Sequence, residues 1–173
     1  MLETADELDD LQRLLDMSHA GATGHLRSIV TDERRLSARD LAGLLSRMKV
    51  LTAANVTAIG EPRISALDGH FLHGTWTFST SADSAKARQL AARPAVSVAH
   101  VDGEELAVFA HGRAEVLAPE EPLGVETFAH WAAHYGSSPL EWGDVTMYRL
   151  RPHFVVGFAS DRAALLARRE LPA

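Results

Sequence analysis

The sequence contains no cysteine among its 173 residues, which excludes disulfides, thiolate metal sites and cysteine nucleophiles. It also lacks a basic excess, because its net charge of -6 is opposite in sign to that of surfaces that bind nucleic-acid phosphates. No apolar run approaches the ~20 residues that span a bilayer. The N-terminal MLETADELDD is acidic, whereas a signal peptide is first basic and then apolar. We therefore expect a cytoplasmic protein without a membrane or nucleic-acid partner.

Three common catalytic motifs are also missing. The sequence has no phosphate-binding GxxxxGKS/T loop, no G-x-S-x-G nucleophile elbow and no HExxH zinc motif. His130 and His134 have the i and i+4 spacing that can chelate zinc, but no third ligand is evident. We therefore predict no metal site, and an amphipathic helix that turns Phe128 and Trp131 inward.

The first part of the chain has helical patterns. Thr4 and Glu7 form a possible capping box, and four leucines follow at helical spacing. Residues 19–35 have a mixed pattern typical of a loop or short turns. Ser37 then precedes a second stripe of apolar residues and is a candidate cap for it. We predict a helical extension over residues 1–45 and a separate domain over residues 46–173.

The residue pattern in the remainder of the chain predicts short strands. Runs rich in β-branched and aromatic residues, separated by turn residues, lie at 50–57, 63–67, 70–72, 76–80, 95–101, 105–117 and 146–159. Short helices are predicted around 84–92 and 125–135. Gly69 indicates a bulge or a close approach of two strands, and we expect His70 and His73, beside a hairpin turn, to be exposed. About six antiparallel strands with few helices between them favour a mainly β (α+β) fold, a closed barrel with peripheral helices.

Hydroxyl groups are concentrated where the strand at 76–80 meets the following helix. Thr80, Ser81 and Ser84 lie there, with Lys86 about one turn into the helix. A helix N-terminus leaves backbone N–H groups unpaired and carries about half a positive charge, so this order of residues suits a phosphate group. The alternative is a simple helix cap formed by Ser81 or Asp83, with Lys86 solvated.

Residues 60–117 carry a series of short motifs in a fixed order. Gly60, Pro62 and Ser65 are followed by Trp76, Phe78, Thr80, Ser84 and Lys86, then by Arg93, Pro94 and Val96, and finally by Gly112 and Ala114. In this order and spacing the sequence resembles the pyridoxamine 5'-phosphate oxidase-related flavin-binding proteins.

The resemblance implies a split β-barrel homodimer with FMN bound at the subunit interface. Ser84 and Lys86 would then hold the phosphate, assisted by Thr80 and Ser81. Arg63 and Ser65 would face the phosphate and the edge of the isoalloxazine ring. The aromatic positions of the cofactor motif are Trp76 and Phe78. Redox chemistry would belong to the cofactor ring, so no catalytic side chain is predicted.

Several assignments stay open at the level of sequence. The family's substrate-gripping R-L-H-D/E-R segment is replaced here by Arg149-Leu150-Arg151-Pro152-His153, which disfavours vitamin B6 oxidation. Ser65-Ala66-Leu67 stands where the family commonly has S-P-V. No residue separates FMN from an 8-hydroxy-5-deazaflavin coenzyme. We therefore expect an FMN-dependent oxidoreductase acting on a small molecule, with a deazaflavin-dependent reductase or a non-catalytic flavin or haem binder as alternatives.

Overall fold

Six antiparallel strands close into a single barrel in the computed structural model, which describes residues 2–170. Around the barrel the strands follow the order β1-β2-β3-β6-β5-β4. Their bounds are β1 (Lys49–Val56), β2 (Pro62–Leu72), β3 (Thr75–Ser81), β4 (Ala95–Asp102), β5 (Leu106–Val116) and β6 (Val145–Ala159). This architecture confirms the predicted fold class. The two predicted runs at 63–67 and 70–72 are one continuous strand, β2.

Six α-helices accompany the barrel in the described part of the chain. They are α1 (Ala5–Ala20), α2 (Gly24–Ile29), α3 (Ala38–Leu44), α4 (Ala85–Ala92), α5 (Pro122–Tyr135) and α6 (Arg162–Glu170), and a 3-10 turn spans Pro139–Glu141. Thr4 and Ser37 form capping boxes with Glu7 and Asp40, so both predicted helix starts are confirmed. Helix α2 lies within the predicted loop, and the sequence pattern does not predict α6. None of these helices is long and apolar enough to cross a membrane.

One hydrophobic core joins the barrel interior to the N-terminal helices. Leu8, Leu11 and Leu15 on α1 belong to the same buried cluster as the inward-facing side chains of all six strands. The backbone N–H of Val155 on β6 donates to Ser18 Oγ on α1 at 2.9 Å. The helical extension therefore packs directly on the barrel wall. A domain boundary at residue 45 stays a prediction.

The barrel is incompletely paired between β2 and β3. β2 pairs with β1 from Pro62 to Gly69, but it pairs with β3 only from Gly69 to Leu72. The last residues of β3 pair with β6 alone. An opening therefore lies between the first half of β2 and the end of β3, and α4 follows directly from this end of β3. At Gly69 a Cβ atom would lie 2.3 Å from Leu51 Cδ1, so the Leu51 side chain packs directly over this glycine; the close neighbour is a side chain and not a second strand backbone.

Helix α5 covers a second, smaller hydrophobic cluster outside the barrel. Its buried members are Leu72, Leu117, Phe128, Trp131 and Met147. The inward orientation of Phe128 and Trp131 is therefore as predicted.

The expectation that His70 and His73 are exposed is wrong. His70 is only 1% exposed, and the side chain of His73 is 9% exposed. Helix α5 packs over this hairpin from a position about 60 residues later in the chain, and α1 contributes Glu7 beside His73. Neither neighbour is visible in the local sequence pattern.

Candidate functional site

The strand-to-helix joint begins with two adjacent hydroxyl groups. Ser84 is the N-cap of α4, and its Oγ accepts a hydrogen bond from the backbone N–H of Ala87 at 3.0 Å. Thr80 Oγ1 lies 3.2 Å from Ser84 Oγ. One of these two hydroxyls donates to the other, so the pair retains one O–H donor for a ligand. Ser84 thus acts as the helix cap, the role that the alternative interpretation gave to Ser81 or Asp83.

Lys86 adds a cation without a counter-ion to this joint. Its side chain is half-buried, and burial lowers the pKa of its ammonium group below the usual value. Within residues 2–170 it makes no hydrogen bond or ion pair. A partly desolvated ammonium group without an anionic partner is unfavourable by itself, and a bound anion would offset this cost. The residues at the joint therefore fit a phosphate group.

Ser81 lies on the other face of β3. Successive side chains of a strand point to opposite sides, so Ser81 points away from Thr80. Its hydroxyl donates to the carboxylate of Asp83, and Arg88 donates to the backbone carbonyl of Asp83. The structure therefore separates Ser81 from the cluster of Thr80, Ser84 and Lys86. It also occupies the Ser81 hydroxyl with the carboxylate that would otherwise repel a phosphate.

Arg63 and Ser65 line the opposite side of the opening, on the half of β2 that pairs with β1 but not with β3. Their partners on β1 are Asn55 and Ala53, which point into the barrel, so all four side chains share one face of the sheet. Arg63 is exposed and forms an ion pair with Glu61 at 2.7 Å. This pair leaves further N–H groups of the guanidinium available.

Two polar residues that sequence reasoning missed connect β1 to α4. Asn55 is only 3% exposed, and its amide donates to Gln89 Oε1. Gln89 follows Lys86 by three residues and therefore lies on the same side of α4. This contact turns the Lys86 side of the helix toward β1. Asn55 continues the alternating series of Leu51 and Ala53, and a polar residue in this inward-facing series is the sequence feature that could have identified the contact.

Trp76 and Phe78 are core residues of the barrel. They are 1% and 0% exposed, and the ring of Phe78 stacks on Tyr148 with a centroid distance of 5.5 Å. Their side chains therefore offer no surface to a ligand in the opening. The correction to the predicted set is that these aromatics support the end of β3 from inside the barrel. Five of the eight predicted residues thus remain around the opening: Arg63, Ser65, Thr80, Ser84 and Lys86.

Comparison with known protein families adds an independent observation. The family model described as pyridoxamine 5'-phosphate oxidase matches residues 38–163, which is most of the chain. The chain belongs to the pyridoxamine 5'-phosphate oxidase family. No curated protein matches it significantly.

Solved structures share the fold of this family member. A conserved hypothetical protein from Mycobacterium tuberculosis is 20% identical with a TM-score of 0.63, covering 83% of this chain and 93% of its own. A structure named F420 reductase is 22% identical with a TM-score of 0.53, covering 66% and 94%. The heme storage protein HutZ from Vibrio cholerae is 22% identical with a TM-score of 0.54, covering 65% and 89%. At these identities the likeness concerns the fold alone.

One glycine of the family motif has a clear physical role. Gly112 lies at a register shift between β5 and β6, where a Cβ atom would be 2.3 Å from the carbonyl oxygen of Arg151. His111 pairs with Phe154 and Gly112 with Pro152, so His153 is the extra residue of a β-bulge. The motif glycine is therefore required by the barrel and does not by itself indicate a ligand.

The C-terminal segment that departs from the family pattern is engaged in an ion-pair network. Arg149 Nε lies 3.1 Å from Glu115 Oε2, and Arg151 Nε lies 2.8 Å from Glu115 Oε1. One carboxylate therefore holds both guanidinium groups across the β5–β6 ladder. The expectation that vitamin B6 oxidation is not the activity stays a prediction.

The described residues do not form a metal centre. Residues 2–170 contain no group of three or more His, Asp or Glu side chains arranged to hold a metal ion. His130 lies against His70, with its Nε2 atom 3.0 Å from His70 Nδ1. His134 contacts His70 and Tyr135 through its ring.

Proposed function

We propose that the protein binds FMN in the opening between β2 and β3 and acts as an oxidoreductase on a small organic molecule. The observation that carries this proposal is Lys86, a half-buried cation without a partner in the described residues, beside two hydroxyls and a helix N-terminus. Membership of the pyridoxamine 5'-phosphate oxidase family supports the same conclusion. The cofactor would supply the redox chemistry when bound.

The residues of the chain would bind and orient the cofactor. Ser84, Thr80 and Lys86 would hold the phosphate by charge-assisted hydrogen bonds, which are among the strongest that proteins make. Arg63 and Ser65, on the facing strand, would fix the other side of the phosphate and the edge of the ring. The buried pair of Asn55 and Gln89 would keep α4 at a constant distance from β1.

A deazaflavin coenzyme is the second candidate. The joint is suited to a phosphate and does not select the ring, and a structure of the same fold is named F420 reductase. A haem-binding role is the third candidate, since a neighbour of the same fold is a heme storage protein. Haem carries carboxylates in place of a phosphate, so it would make less use of the joint.

A homodimer is part of the proposal. Outward-facing positions of β1 and β2 carry the exposed apolar side chains Val50, Val56 and Ile64, and Ile59 follows in the connecting turn. Adjacent exposed apolar residues of this kind favour a protein contact. We propose that a second copy of the chain covers this face, and that cofactor binds at the resulting interface. Ile64→Lys should then shift the mass measured by light scattering to that of a monomer, whereas the control Val125→Lys on α5 should not.

Cofactor extraction and binding measurements test the proposed function directly. The absorption spectrum of the purified chain, and mass spectrometry of any released cofactor, would distinguish FMN, a deazaflavin and haem. The chain freed of cofactor should bind FMN more tightly than riboflavin, which has the same ring without the phosphate. A chain that is colourless and binds none of the three cofactors would refute the proposal.

A further inference from the structure

A group of titratable side chains forms part of the contact between β2 and α5, beside the apolar contact of Leu72 with this helix. Asp68 and His70 lie on β2, and His130, His134 and Tyr135 lie on α5; we call these five residues the α5 seam. His70 is at the centre and is buried. Its ring lies 5.0 Å from that of His130, 4.9 Å from that of His134 and 5.7 Å from that of Tyr135.

The hydrogen bonds of the seam form a chain with a defined direction. Tyr135 donates its hydroxyl proton to Asp68 Oδ2 at 2.9 Å. The hydroxyl oxygen is therefore free to accept from His70 Nε2, which is 3.4 Å away. With its proton on Nε2, neutral His70 presents a lone pair on Nδ1, which accepts from His130 Nε2 at 3.0 Å. Every polar atom of His70 thus has a partner when its imidazole is neutral.

The same geometry restricts how many protons the seam can hold. If His70 and His130 were both doubly protonated, two N–H groups would face each other across 3.0 Å. Burial and the neighbouring histidines lower the pKa of His70 to about 4, and burial also lowers the pKa of His130. Burial and Asp68 raise the pKa of Tyr135, so its hydroxyl stays a donor.

Other titratable and charged groups flank the seam where α5 meets the turn before β3. His73 Nδ1 lies 3.0 Å from Glu7 Oε1 on α1, and its Nε2 lies 3.4 Å from Glu126 Oε2 on α5. These contacts join α5 to α1 through the turn before β3.

Release of α5 would uncover a defined surface. The helix covers Leu72 and Met147, and the indole N–H of Trp131 donates to Thr77 Oγ1 at 3.1 Å. A cleft of about 410 Å³ lies beside α5, and its lining includes Phe128 of this helix, Leu140 and Met147. Loss of the seam would widen this cleft while the barrel itself keeps its pairing.

We propose that the α5 seam is an acid-sensitive latch, which holds α5 on the barrel at neutral pH and releases it when the seam takes up protons. This inference does not depend on the identity of the cofactor. A released His70 has an ordinary pKa near 6.5 in place of about 4. By proton linkage, the equilibrium constant for opening rises about 30-fold from about pH 7.5 to about pH 5.

Hydrogen exchange measured by mass spectrometry on the full chain tests the latch. After correction for intrinsic exchange rates, protection of residues 122–135 should fall about 30-fold between these pH values, while protection of β4 and β5 should change far less. His70→Gln, which cannot titrate, should reduce this pH effect to a few-fold. His25→Gln is the matched control, because His25 is exposed on α2, and it should behave as wild type.

Two results would overturn the proposal. One is equal loss of protection in α5 and in the barrel strands of the wild-type chain, which would indicate global unfolding. The other is a full 30-fold effect in His70→Gln, which would assign the proton uptake to other groups. If His70→Gln does not fold, the wild-type comparison of α5 with β4 and β5 still decides the question.

Discussion

Replacing Lys86 by methionine should affect cofactor binding and the stability of the cofactor-free chain in opposite directions. Methionine preserves most of the length of the side chain and removes its charge. A charge-assisted hydrogen bond contributes ~1.5–3 kcal/mol, so Lys86→Met should weaken FMN binding roughly 10- to 150-fold. Riboflavin lacks the phosphate, so its affinity should change little. The ratio of the two affinities therefore isolates the contact between Lys86 and the phosphate.

Without cofactor, the same substitution should raise the free energy of unfolding. Burial lowers the pKa of Lys86 in the folded chain, so the unfolded chain binds more protons in the alkaline range. The stability of the wild type should therefore rise as pH increases from the folded pKa of Lys86 toward 10.5. Lys86→Met should lack this rise.

Calorimetric titrations with FMN and riboflavin, and urea unfolding at neutral and alkaline pH, measure these quantities. Arg88→Met is the matched control, because Arg88 lies on the same helix, is exposed and contacts only a backbone carbonyl in the described residues. Lys86→Arg keeps the charge and should retain most of the affinity. An unchanged ratio of FMN to riboflavin affinity in Lys86→Met would refute the assignment of the phosphate to this joint.

Three further substitutions test the packing that supports the site. Gly112→Ala should lower the free energy of unfolding by ~1–3 kcal/mol, because the added Cβ would lie 2.3 Å from the carbonyl oxygen of Arg151. Urea titrations measure this change, and a variant as stable as the wild type would contradict the close approach at the bulge. Thr77→Val should lower the free energy of unfolding by ~1–3 kcal/mol, because it leaves the buried indole N–H of Trp131 without an acceptor. An unchanged midpoint of thermal unfolding would argue against that hydrogen bond. Phe78→Ala should lower the free energy of unfolding, measured by calorimetry, by ~3–5 kcal/mol. A decrease of less than about 1 kcal/mol would be inconsistent with a fully buried ring.

Features that depend on neighbouring residues were predictable from the sequence. The capping boxes at Thr4 and Ser37 are local patterns, because the capping side chain and the N–H that it accepts from are three residues apart. Strand positions followed from β-branched and aromatic runs. The closed barrel followed from the number of strands and the shortness of their connections.

Features that depend on distant partners were not predictable. His70 and His73 flank a hairpin turn, and local reasoning placed them in solvent, whereas α5 and α1 bury them. Local reasoning likewise could not connect Asn55 to Gln89, because 34 residues separate them. Each of these contacts requires the tertiary arrangement of the helices around the barrel.

The family motif combines residues with two different physical roles. Phe78 and Gly112 are accounted for by the barrel alone, through core packing and the close approach at the bulge. Lys86 is not accounted for in this way, because the described part of the fold gives its half-buried ammonium group no partner. A match to the motif therefore establishes the fold, whereas an unpaired charge within it points to a ligand. For this reason the effect of Lys86 on phosphate-dependent binding is a stronger test of function than the number of motif positions that match.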